Sequence, residues 1–244
     1  MKTRYCFLFF LIICFSSASN AQSDSKQKLY QAFLQADLTA WEKEMTLLQK
    51  NTNVNDLEEG IVLINCYYGY IGWLINEEEF DKASSALDDS EDLLNDLLKK
   101  NPRNATLNAF KGAWYGFAIN ISGYKAAFLG PRSMKYINRS LDMDPLNIQG
   151  NIEKGNALYF MPEAFGGSKS KALELFNKAV SLMEKQELTD DNWLYLQMLA
   201  RIGLMLQETG QHQAAAKQYE TILENYPNYK WVRDDLYPAV KKEN

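Results

Sequence analysis

The chain has 244 residues, 46% of them hydrophobic, 13% aromatic and 23% charged. That is enough apolar matter for one sizeable core, and it excludes wholesale disorder. Lys and Arg number 26 against 31 Asp and Glu, a formal net charge of -5, which argues against a nucleic-acid partner because phosphate backbones need clustered cations. One His and three Cys are too few for most zinc sites or a His-based triad, so no metal, no cofactor and no catalysis are expected.

Residues 1–21 read as a secretory signal. Lys2 and Arg4 precede an apolar run from Cys6 to Phe15, about half of what a membrane span needs. Ser19-Asn20-Ala21 fits the small-x-small rule for cleavage after Ala21. Ile13 stands before Cys14, where lipid attachment would want a small residue. The mature chain, 22–244, is expected to be one domain, exported to a periplasm or beyond and soluble, with no stable membrane insertion. Processing removes Lys2 and Arg4 and no acids, taking the charge from -5 to -7. Cys66 is then the lone thiol, in an apolar helical stretch that reads as a buried position.

From residue 22 onward the periodicity is helical, with no run of β-branched alternation. Segments of helix length alternate with turn signals, the arrangement of a helical-repeat protein. Residues 25–50 offer a degenerate first pair with Trp41 as its large residue. A helix bearing Tyr67, Tyr68, Tyr70 and Trp73 comes next, then Ala83-x3-Leu87-x2-Ser90 on a helix extended to about Lys100. Residues 104–129 predict one long helix. One of its stripes is aromatic (Phe110, Trp114, Phe117, Ile121, Tyr124, Phe128) and another is small (Ala109, Gly112, Gly116, Gly123, Ala127). Beyond it lie Ser133-x3-Ile137-x2-Ser140 with Asp144-Pro145 behind it, and Ala172-x3-Phe176-x2-Ala179, whose first helix holds Gly155 and Tyr159. Between the helices of that unit lies a long turn, Met161 to Gly167, with Ser168 placed to cap the second helix. The last unit has Leu199, Ile202, Gly203 and Leu206, a turn at Gly210, then Ala215, Tyr219 and Ile222, and Pro227 as a stop. Residues 229–241 predict a capping helix.

The pattern large-x2-large-Gly-x2-large, then Ala-x3-aromatic, then Pro resembles the tetratricopeptide-repeat (TPR) family, most clearly over 147–187 and 196–229. The family's packing has a mechanical logic: Gly203 and Ala215 let two helices approach, and Tyr219 fills the gap between one pair and the next. The resemblance implies an all-α, right-handed solenoid of four or five antiparallel helix pairs with a C-terminal cap and a concave face lined by first helices. It also implies a protein or peptide partner on that face. In the TPR frame the groove-facing residues are Gln149, Asn156 and Tyr159 in one unit and Gln197, Arg201 and Glu208 in the next. The Pro162-x2-Phe165-Gly166-Gly167 insertion is similar to helical-repeat T components of TRAP-type transporters, which implies an alternative: a solute-handling accessory subunit. Its pocket would lie beside the long helix, with Tyr70, Trp114, Asn120 and Tyr124 in its wall.

Overall fold

A computed structural model of the protein describes residues 13–242, with side chains from Asp24 onward. Residues 1–12 of the expected signal lie outside the described residues, and the expected cut after Ala21 falls within the first helix, α1 (Ile13–Leu34). The remaining helices are α2 (Leu38–Asn51), α3 (Leu57–Asn76), α4 (Phe80–Lys100), α5 (Ala105–Ile121), α6 (Ala126–Met143), α7 (Ile148–Phe160), α8 (Lys169–Lys185), α9 (Trp193–Glu208) and α10 (His212–Asn225). A π-helical turn, Val232–Leu236, runs into α11 (Tyr237–Lys242). These make five antiparallel pairs and a cap, with no strand among the described residues. No helix among them is long and apolar enough to cross a membrane.

Side-chain capping starts each first helix from α3 onward. Asp56, Asn104, Asn147 and Asn192 accept from backbone N–H groups of Glu59, Leu107, Gly150 and both Leu194 and Tyr195, satisfying donors the helix leaves orphaned. Ser168 caps α8 as its position predicts. Three intra-pair turns share a left-handed residue at Ala36, Glu78 and Gly210 (φ 51°, 59° and 76°). The N–H of the next residue then reaches back to a carbonyl inside the helix, Gln211 to Leu206 at 2.8 Å for one. Only the last of the three uses glycine, which meets no steric penalty there.

The second helices repeat one packing device. Ala83, Leu87 and Ser90, then Ser133, Ile137 and Ser140, then Ala172, Phe176 and Ala179, then Ala215, Tyr219 and Ile222 are all buried. The large member of each later trio presses onto a glycine of its partner helix. A methyl group on Gly203 would lie 2.3 Å from Tyr219, on Gly155 2.6 Å from Phe176 and on Gly112 2.6 Å from Ile137. Burying each such large side chain stabilises the stack by about 1.5–3 kcal/mol. The joints between pairs repeat as well. Arg139 on α6 donates to the Pro102 carbonyl at 3.0 Å, and Lys178 on α8 donates to the Pro145 carbonyl at 2.8 Å. Each cation stands two residues after the large packing residue, so the register of one unit fixes the next.

The long helix expected over 104–129 is two helices. α5 ends at Ile121, Gly123–Lys125 make a 3-10 turn, and α6 begins at Ala126. The aromatic stripe therefore splits: Phe110 and Trp114 are core, whereas Tyr124 and Phe128 are 80% and 77% exposed. Gly130-Pro131 lies inside α6, where Pro131 costs the helix a single i to i-4 bond near its start.

The stack also closes on itself. Phe33 of α1 packs on Trp193 of α9 (centroids 5.9 Å apart) and on Tyr229 (5.2 Å). Trp41 of α2 meets Trp193 edge-on at 5.1 Å, and its indole N–H donates to the Cys66 carbonyl. The first pair thus fills part of the inner wall, against the last. Burial here pushes the Cys66 thiol well above its usual range and leaves it no reactive character.

Candidate binding site

The inner wall is built by α3, α5, α7 and α9, and Tyr68 is where they converge. Its ring packs on Phe110 (5.6 Å) and Phe117 (5.4 Å) of α5 and on Trp193 (6.4 Å) of α9. Its hydroxyl accepts from Asn156 of α7 at 3.3 Å and bonds to the carboxylate of Glu153. Gln149, one turn earlier on α7, donates to Glu153 at 2.8 Å. Two expected groove residues, Gln149 and Asn156, therefore grip one buried carboxylate. No cation pairs with Glu153 among the described residues. Burial pushes its pKa up to about 7, with the bonds from Tyr68, Asn156 and Gln149 pulling back.

Farther along the same helices a second cluster lies toward solvent. The Tyr159 hydroxyl donates to Glu208 at 2.6 Å, joining the ends of α7 and α9. Lys169, at the start of α8, donates to the same carboxylate at 3.1 Å. Burial works against the charge on Glu208, but the bonds from Tyr159 and Lys169 hold it below the usual carboxylate range. The Arg201 guanidinium stacks over Tyr159 (4.3 Å) and Phe160 (5.3 Å), a cation–π arrangement that fixes its plane. Its Nε is buried with no hydrogen-bond partner. A donor left open in this way costs energy until an acceptor arrives. Beside it a hollow of about 410 Å³ is lined by Leu204, Gln207, Glu208, His212, Leu236 and Ala239.

The six expected groove residues thus fall into two groups. Gln149 and Asn156 belong to the buried Glu153 network; Tyr159, Arg201 and Glu208 form the outer cluster. Gln197 is half-buried on α9 and joins neither. Glu153 and Tyr68 are the residues that spacing arguments missed. Next to Lys154, Glu153 looks like one of a pair of solvated charges, yet it lies four residues after Gln149 and shares its face.

The second expected set does not gather in one pocket. Tyr70 is buried and bonds to Glu42 of α2. Trp114 is buried and its indole N–H donates to Ser90 of α4 at 3.2 Å. Asn120 turns back to the Gly116 carbonyl of its own helix, and Tyr124 stands in solvent. The break after Ile121 separates Tyr124 from Trp114 and Asn120, which share α5.

No family model and no curated protein matches the chain. Solved structures do resemble it. The HusA haemophore from Porphyromonas gingivalis superposes with a TM-score of 0.58 at 16% identity, over 77% of this chain and 94% of its own. A thermophilic TPR protein of Thermus thermophilus superposes with a TM-score of 0.56 at 15% identity, over 92% and 98%. With the repeated glycine-on-aromatic joints and the stacked helix pairs described above, these likenesses give the chain a TPR-like, all-α helical-repeat fold.

Proposed function

We propose that the protein is a non-catalytic binding scaffold of an extracytoplasmic compartment, holding a protein segment or peptide at the open end of its inner wall. The observation that carries this reading is the buried, unbonded Nε of Arg201, held flat against Tyr159 and Phe160 at the mouth of the groove. A backbone carbonyl or a carboxylate would satisfy it, while Tyr159, Phe160 and Leu204 supply apolar contact. Aromatic and Arg side chains together are the usual anchors of an interface. Export rests on the leader at 1–21, with its basic start and apolar run. The test is affinity capture from the native envelope with the processed chain and with a Tyr159→Ala/Arg201→Ala variant. Partners recovered by the first and lost by the second are expected; equal recovery sinks the groove assignment.

A second reading is favoured by the same mouth. Half-buried Trp73, Phe117 and Tyr159 and exposed Phe160 toward the ends of the first helices, with Arg201 over the last two, suit a flat apolar ligand that carries carboxylates. The likeness to a haemophore makes haem the compound to try, and a solute-handling role would follow. Titration with haemin, read by absorbance, is expected to saturate at one equivalent if this reading holds. The Arg201→Ala variant would then weaken binding roughly tenfold, the value of one charge-assisted hydrogen bond. An absence of saturable binding leaves the peptide reading alone.

A further inference from the structure

Charge is distributed unevenly along this acidic chain. From Leu97 to Leu141 there are eight Lys and Arg and no Asp or Glu, and the turn into α6 with α6 itself holds four of them, Lys125, Arg132, Lys135 and Arg139. Three of the eight cations are tied into the fold: Lys100 to Asn55, Lys111 to Glu91 and Arg139 to the Pro102 carbonyl. Lys125, Arg132 and Lys135 pair with no acid among the described residues. With Phe128 they recur at spacings of three and four along one side of α6, and Phe128 and Tyr124 protrude at its tip, 77% and 80% exposed.

The neighbouring hairpin repeats the arrangement. α5 and α7 pack side by side as first helices of consecutive pairs, so both finish at the same rim. There Phe165 is 78% and Phe160 58% exposed, and exposed Lys169 and Lys171 begin α8. Glu163 is the one acid on this turn, and Lys169 already serves Glu208.

We propose that this rim docks the protein on an anionic phospholipid surface, with Tyr124, Phe128 and Phe165 seated at headgroup level and Lys125, Arg132, Lys135 and Lys171 against lipid phosphates. The shape favours a bilayer over an acidic protein. The exposed aromatics sit on two separate turns, Tyr124 and Phe128 at one and Phe165 at the other, whereas a protein interface wants a flat patch with an enclosed centre. Aromatic rings with adjacent cations are the combination that holds a protein at a membrane–water boundary without spanning it.

The test uses the full processed chain and sedimentation with vesicles. Vesicles of phosphatidylglycerol mixed with phosphatidylcholine are expected to bind it at low salt, and vesicles of phosphatidylcholine alone to leave it in solution. A Lys125→Gln/Arg132→Gln/Lys135→Gln variant is expected to bind about 100-fold more weakly, and Tyr124→Ala/Phe128→Ala about tenfold more weakly. Four of the five positions are exposed and Lys125 is half-buried, and none is in the core, so both variants keep the parent's thermal midpoint. Absence of binding to the anionic vesicles, or equal binding by parent and variants, overturns the proposal. So does capture of soluble poly-glutamate with the aromatic variant unaffected, which reassigns the rim to an acidic polypeptide.

Discussion

Along the first helices the inner wall has a sealed stretch and an open one. In the sealed stretch Tyr68, Gln149, Glu153 and Trp193 are buried; toward the helix ends Trp73, Phe117 and Tyr159 are half-buried and Phe160 is exposed. The local sequences are alike, aromatic and glycine-rich in both. What differs is what arrives from elsewhere. Trp41 and Phe33 come from the first pair and close one stretch against Trp193, whereas the other stretch has one such ring contact from that pair among the described residues, Trp41 on the edge of Trp73 at 6.3 Å. Two glycines three residues apart on one helix show the contrast at its sharpest: a methyl on Gly69 would lie 2.6 Å from Trp41, whereas one on Gly72 would meet nothing within 4 Å.

Substitutions in the two stretches press on this contrast. Trp41→Ala removes a fully buried ring and is expected to cost about 3–5 kcal/mol, against under about 2 kcal/mol for Trp73→Ala in the open stretch; denaturant unfolding of both decides it. Equal losses would mean the open stretch is as tightly packed as the sealed one.

Glu153 makes the sealed stretch sensitive to pH. Folding raises its pKa from 4.5 to about 7, so between those values the folded chain holds a proton that the unfolded chain releases. The group's contribution to stability is therefore full below pH 4.5 and is lost as pH rises through 7. The swing is on the order of 3 kcal/mol. Glu153→Gln is expected to remove this part of the pH dependence, measured as unfolding free energy from about pH 5 to 8; an unchanged slope would refute the buried carboxylate.

Gly69→Ala is expected to destabilise by about 1–3 kcal/mol through overpacking, and Gly72→Ala to stabilise by about 0.5–1 kcal/mol through its better helix propensity. Opposite signs in thermal melts are the expected outcome, and the same sign would erase the distinction between the two stretches. Phe160→Ser, the smallest effect, is expected within about 0.5 kcal/mol of the parent while weakening whatever binds at the mouth.

Much of the fold was legible because TPR packing is written in side-chain size. Gly203, Ala215 and Tyr219, like Gly155 and Phe176, could be recognised as packing positions from spacing; the structure adds that Tyr219 and Phe176 press onto Gly203 and Gly155 inside a pair, where Tyr219 was expected between pairs. The long helix was misread because its aromatic period runs unbroken through Ser122-Gly123. Periodicity reports which residues would share a face if the helix continued; the glycine at the break carried the better information. The sites were less legible. Tyr159 and Glu208 lie 49 residues apart and meet only because α7 and α9 are adjacent first helices. Glu153 was hidden by its charged neighbour, and Tyr68 was one ring among four until packing singled it out.

The embrace of Trp193 by Phe33 and Trp41 has a consequence for how the molecule loses its order. In an open array the outermost unit can fray while the others persist, because each leans only on its neighbour. Here the two extremities shelter each other, so neither is a free end from which unzipping can start. Trimming either terminus would lay bare the opposite one, and the whole array is built to melt as a single body.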